Sequence, residues 1–149
     1  MLIRSLSAAE CSRVLAENRL GRLACTKDGA PYVVSIYFAY ANNHLYGFSM
    51  PGKKIDWMRA SPKVSVLVEQ HGEGREWRSV IVDGHYEELP DRIGHKVERD
   101  HAWSLLSRHA DWWEPGALKP ALPPVSDHNP HIFFRIVIDQ LSGREAIEA

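Results

Sequence analysis

Apolar and polar positions alternate with a period of two along most of this chain, and three stretches shift to the three-to-four spacing of a helix. The first follows Ser7-Ala8-Ala9-Glu10, where the Ser7 hydroxyl can accept from the backbone three residues on while Glu10 reaches back. This capping box predicts a helix to about Asn18. Residues 19–27 read as a strand, and Asp28-Gly29 as a hairpin turn, because glycine takes a positive φ without steric cost. The returning strand is PYVVSIYFAYA (31–41). It is rich in β-branched and aromatic residues and has few polar alternations, so both of its faces are expected to be covered. Asn42-Asn43 supplies the next turn, and HLYGFS (44–49) completes a three-stranded antiparallel meander.

Residues 51–61 read as a short helix that buries Ile55, Met58 and Trp57. KVSVLVEQ (63–70) alternates strictly, with Val64, Val66 and Val68 on one face and Ser65 and Leu67 on the other. After a Gly72-Glu73-Gly74 loop, WRSVIVDGHYEEL (77–89) is a long strand in which Asp83-Gly84 marks a bulge or bend. A helix opens at Pro90, with Ile93, Val97, Ala102, Leu105 and Leu106 as a broken apolar stripe to about Ala110. Residues 111–130 are rich in proline and lack periodicity, so they read as a surface loop. Two large rings there, Trp112-Trp113, are expected to cover a pocket or a partner. HIFFRIVIDQL (131–141) is the closing strand. Five or six strands with short helices at the margins predict a closed or nearly closed antiparallel barrel in one domain, residues 1–149.

Composition narrows the function classes. The 149 residues are 44% hydrophobic and 25% charged, with a formal net charge of -1, so there is no basic field of the kind a general nucleic-acid binder needs. No apolar run is long enough to cross a bilayer and no charged-then-apolar leader opens the chain, so a cytoplasmic location is expected. Cys11 and Cys25 form neither a CxxC nor a disulfide framework and read as reduced, packed thiols. Among the eight histidines, His95, His101 and His109 lie six and eight apart, and His128 and His131 flank Asn129-Pro130. None of these spacings aligns two imidazoles on a helix face, so no metal is expected. There is no Ser/His/Asp or Cys/His constellation.

The chemistry-bearing stretch is YGFSMPGKKIDWM (46–58). A strand, a Pro51-Gly52 turn, two lysines and then a helix make a phosphate receptor, because the helix start leaves N–H groups unpaired and partially positive. The alternative is that Lys53 and Lys54 are two solvated surface charges.

In their order and spacing, PYVVSIYFAY, LYGFSMPGKKIDWMRASPKVSVLVE and WRSVIVDGHYEEL resemble the pyridoxamine-phosphate-oxidase-like family of FMN-binding split barrels, in particular its small flavin-nucleotide-binding branch. The resemblance runs from about Ala8 to Leu89, with a weaker echo from His131 to Arg144. It implies a mainly β fold, a six-stranded antiparallel split barrel of Greek-key order with short flanking helices, and a homodimer with two flavin sites at the subunit interface. On that resemblance Lys53 and Lys54 clamp the FMN phosphate and Ser49 donates a hydroxyl. Val33, Val34 and Ser35 line the pyrimidine edge of the ring, although they are also ordinary barrel-strand residues. Phe48 offers a main-chain contact near the ribityl chain. Ser79 reaches the flavin from the neighbouring subunit, with Trp77 and Arg78 beside it, or these residues form the interface rim. Arg144 lies where the last strand approaches the flavin. The chain departs from the vitamin-forming oxidases in two places: FFRIVIDQLSGREAIEA lacks their R-x-H segment, and Ile36 stands where they carry a substrate-binding lysine. The expected activity is therefore that of an FMN-dependent oxidoreductase, a reductase of flavin, quinone or nitro compounds, and not vitamin B6 oxidation. A non-catalytic flavin- or haem-binding carrier or sensor, or a structural dimer without cofactor, is the alternative.

Overall fold

The first helix shows how local chemistry sets an element. Ser7 is extended (φ -71°, ψ 167°), the Glu10 N–H donates to Ser7 Oγ at 3.1 Å, and the Ser7 N–H donates to Glu10 Oε1 at 3.0 Å. With both end donors satisfied, α1 spans Ala8–Glu17. The computed structural model describes residues 1–90, 93–108 and 132–148, so the expected loop with Trp112-Trp113 lies outside the described residues. Before α1 comes β1 (Leu2–Ser5), and after it β2 (Leu20–Lys27), β3 (Ala30–Tyr37), β4 (Ala39–Ala41), β5 (His44–Ser49), α2 (Lys53–Ala60), β6 (Lys63–His71) and β7 (Trp77–Leu89). A single 3-10 turn (Ile93–His95), α3 (Lys96–Leu106) and β8 (Ile132–Ile147) follow.

Both predicted hairpin turns form as two consecutive positive-φ residues, Asp28 and Gly29 (51° and 81°) and Asn42 and Asn43 (50° and 63°), which matches the right-handed twist of the flanking strands. The strands make one antiparallel sheet in the order β3-β2-β6-β7-β8-β5-β4, with β1 on the far end of β8. This is a mainly β split barrel, but the described residues hold eight strands where six were expected. One reason is Phe38. The predicted strand 31–41 divides there: the Phe38 N–H donates to the Arg19 carbonyl at 2.8 Å, its ring enters the core, and the chain changes partner from β2 to β5. The two ends of the sheet, β3 and β4, are thus consecutive pieces of one segment, and the barrel is open between them. The other reason is β1, four exposed residues without any alternation to read.

The bulge expected at Asp83-Gly84 is present, with the extra residue on the partner strand. Asp83 pairs Gln140 and Gly84 pairs Ile138, leaving Asp139 unpaired. Glycine is required at 84, because a Cβ there would lie 2.3 Å from the Val137 carbonyl oxygen. β8 also runs six residues past its expected end.

The main core fills the barrel, with Val64, Val66 and Val68 inward as the alternation predicts, closed by Val14 and Leu15 of α1 and Ile55 and Met58 of α2. A second cluster lies beneath α3, where Ala102, Leu105 and Leu106 cover Tyr46, Phe48, Leu89 and Phe133. α3 begins later than expected and its stripe differs: Val97 is 77% exposed, and buried Arg99 sits one turn before Ala102 instead. Position 97 is five residues from 102 and off that face, whereas 99, 102, 105 and 106 align. Arg99 is accommodated by donating from Nη1 to the Leu89 carbonyl at 2.7 Å, with its guanidinium 5.1 Å from the Phe133 ring centroid.

Candidate functional site

β5 ends by carrying Phe48 and Ser49 into the core. The Ser49 side chain is fully buried and its hydroxyl donates to the Met50 carbonyl at 2.6 Å. Gly52 then precedes α2 as its N-cap residue and makes no side-chain cap hydrogen bond. Lys53 leads this turn. Its Nζ stands 4.3 Å from the Tyr32 ring centroid and 4.7 Å from that of Trp57, two rings 5.6 Å apart. The helix start is thereby tied to the beginning of β3. Lys54 is half-buried beside it, and both ammonium groups act on Cys25 of β2, whose thiol pKa burial pushes up while the two lysines pull it down. Sequence reasoning missed Tyr32 and Trp57 as the bracket for Lys53. The i, i+4 spacing of Lys53 and Trp57 carried that signal for the second ring.

β3 pairs with β2 on one side and ends the sheet on the other, so its outer edge presents open backbone donors and acceptors. Val34 packs inward on the core, and Val33 and Ser35 face outward, where Ser35 accepts from Arg22. Val33 is 61% exposed, so the expectation that both faces of this strand are covered does not hold within one chain. Phe48, Ser49, Lys53, Lys54 and the β3 edge therefore belong to one region, a cation pair beside an open strand edge. The residues present fit a phosphate joined to a flat, hydrogen-bonding ring.

The remaining predicted residues lie elsewhere on the sheet. Ser79 pairs directly with Arg144 in the β7–β8 register, and both line an open groove of about 590 Å³ with Trp77, Ser5, Leu141 and Ser142. The period-two alternation sends Arg78 to the opposite face. There its Nε donates to Glu145 Oε2 at 2.8 Å, Arg4 Nε donates to Glu145 Oε1 at 2.6 Å, and Arg4 Nη2 reaches Glu10 Oε2 at 2.7 Å. Glu145 is 2% exposed, so Arg78 neutralises a buried carboxylate. At the outer end of this network the Ser7 backbone N–H, and then the Arg4 guanidinium, lower the Glu10 carboxyl to about 2.

From β3 to β7 is three inter-strand steps, roughly 14 Å at 4.8 Å each. One chain therefore does not bring the groove residues to the lysines. Across that interval the register aligns Ser35, Arg22, Leu67, Ile81 and Ser142 on one outer face. Leu20 (40%), Val33 and Ile81 (44%) are exposed apolar residues on that same face. Among the described residues no three His, Cys, Asp or Glu side chains are grouped to hold a metal ion, and no helix is long and apolar enough to cross a membrane.

An antiparallel barrel left open between β3 and β4, with short helices at its margins, is a split barrel. Residues 7–145 match the model of the pyridoxamine 5'-phosphate oxidase family, and the chain belongs to that family. It is 49% identical over 146 residues to an uncharacterized protein of Rhizobium meliloti (strain 1021), covering 98% of this chain and 97% of that one. A crystal structure of a protein from Mesorhizobium loti described as FAD-binding is 66% identical, covers 99% of this chain and 100% of its own, and superimposes with a TM-score of 0.84. At 18% identity, an FAD- and haem-binding protein from Mycobacterium smegmatis shares the fold, with a TM-score of 0.70 over 97% of this chain and 74% of its own.

Proposed function

We propose that this protein is a cytoplasmic FMN-binding oxidoreductase that works as a homodimer on a small-molecule substrate, with each flavin held between two copies. The observation that carries the reading is the Lys53 ammonium, fixed by Tyr32 and Trp57 at an uncapped helix start next to the open edge of β3. A phosphate at the helix start would take charge-assisted bonds from Lys53 and Lys54, the strong kind of hydrogen bond. The β3 backbone at Val33, Val34 and Ser35 would meet the pyrimidine edge of the ring. Ser79 lies on the same outer face but three strands away, so a second copy must supply it. The exposed apolar side chains Leu20, Val33 and Ile81 on that face support such a contact. Bound there, the flavin supplies hydride or single-electron transfer at its ring, and the chain positions and shields it.

Vitamin B6 oxidation is not the reading that the residues favour, because Ile36 is buried in the core and offers no substrate cation. The relative from Mesorhizobium loti supports a flavin as the ligand, and FMN and FAD share the half that these lysines would meet. The visible spectrum of the purified protein tests the reading: flavin bands near roughly 370 and 450 nm are expected. A Soret band would move the assignment to haem, and a colourless protein that takes up no added flavin would reject it.

A further inference from the structure

Arg22 of β2 stands directly opposite Ser35 of β3, and its Nη1 donates to Ser35 Oγ. We propose that Arg22 is a positioning residue that acts through Ser35 on the pyrimidine edge of the bound flavin, where it holds the charge gained on reduction and so raises the reduction potential. This rests on the flavin reading above, which sets the β3 backbone at Ser35 against that edge, and adds the cation behind it.

The direction of the hydrogen bond is the first observation. A guanidinium only donates, so Ser35 uses a lone pair on Arg22 and keeps its own O–H for an acceptor. Among the described residues no acceptor takes that proton. A hydroxyl that accepts from a cation is polarised into a stronger donor. The second observation is charge. Arg4, Arg59, Arg78 and Arg135 each pair with a carboxylate, whereas Arg22 is exposed and forms no ion pair among the described residues. Glu69 lines the same open pocket of about 310 Å³ without bonding it, and neither β2 nor β3 contains an acidic residue. The third is place. β3 ends the sheet beside β2, so a ring at the open edge of Ser35 has Arg22 one strand behind it, a spacing of roughly 4.8 Å. A hydride from the electron donor brings two electrons and one proton to the neutral oxidised ring, and one negative charge then remains on its pyrimidine half. The Ser35 hydroxyl, backed by Arg22, favours that charged form over the neutral one.

Reductive titration of the FMN-loaded, full-length protein against a reference dye measures the potential. Arg22→Leu should lower the ratio of affinities for reduced over oxidised FMN at least tenfold, a fall of about 30 mV for a two-electron couple. Affinity for oxidised FMN should change less than threefold, and Arg22→Lys, which keeps the charge, should recover at least half of the shift. Ser35→Ala should lower the potential similarly, and the double variant no further than the larger single effect, because the two residues act as one unit. Thermal melts check that each variant folds; if Arg22→Leu does not, Arg22→Gln is read against the same threshold. A ratio that falls less than tenfold overturns the inference while leaving flavin binding intact, as do additive effects in the double variant. A parent that binds no flavin rejects the flavin reading and this inference together.

Discussion

Replacing Arg78 by leucine removes one of the two cations that hold Glu145. That carboxylate is 2% exposed and receives Arg78 Nε at 2.8 Å and Arg4 Nε at 2.6 Å. A hydrogen bond to a charged group contributes roughly 1.5–3 kcal/mol, and breaking a buried pair outright costs about 3–5 kcal/mol. Because Arg4 remains in place and Arg78 is itself partly exposed, the lower range applies, about 2 kcal/mol. For a chain of this length that lowers the melting temperature by roughly 4–8 °C. Urea unfolding and calorimetry measure it. The double variant Arg78→Leu/Glu145→Leu should recover more than half of the loss, since no carboxylate is then left buried with too few partners. A single variant that melts within 1 °C of the parent but binds flavin at least tenfold more weakly would overturn this structural role, because Arg78 would then serve the ligand.

Changing Lys53 and Lys54 together to alanine should weaken FMN by at least tenfold and leave riboflavin, which lacks the phosphate, unaffected; titration of the apoprotein decides it. Tenfold is about 1.4 kcal/mol, a fraction of two charge-assisted bonds of roughly 1.5–3 kcal/mol each, because solvent screens exposed Lys53 and half-buried Lys54. The low pKa of the Glu10 carboxyl, set by the Ser7 N–H and then by Arg4, has a pH signature: its stabilisation is fully present above the ordinary value of 4.5 and is lost as the pH falls to about 2. Glu10→Gln should therefore flatten the dependence of melting temperature on pH between 5 and 2, and a variant whose acid limb matches the parent's would contradict this.

Most strands were legible because their signals are local. Val64, Val66 and Val68 alternate, Asp28-Gly29 and Asn42-Asn43 can adopt only a few backbone geometries, and Ser7 with Glu10 forms a cap from four consecutive residues. What was not legible depends on partners distant in sequence. Phe38 interrupts a run with uniform strand propensity only because Arg19 offers a carbonyl there. Arg99 is buried because Leu89 and Phe133 receive it. The same division runs through the candidate site. The turn and the two lysines form a contiguous motif, whereas the partner of Arg78 depends on the β7–β8 register, which sets buried Glu145 opposite it. Tyr32 is joined to Lys53 across 21 residues, beyond the reach of any periodicity.

A flavin site completed by two copies would set the lysines of one against the Ser79 groove of the other. Native mass spectrometry of the purified, flavin-loaded protein tests it in one spectrum. Two chains carrying two flavins are expected, with chain pairing and flavin lost together when Lys53, Lys54 and Ser79 are all replaced by alanine. A single chain that holds one flavin on its own would contradict it.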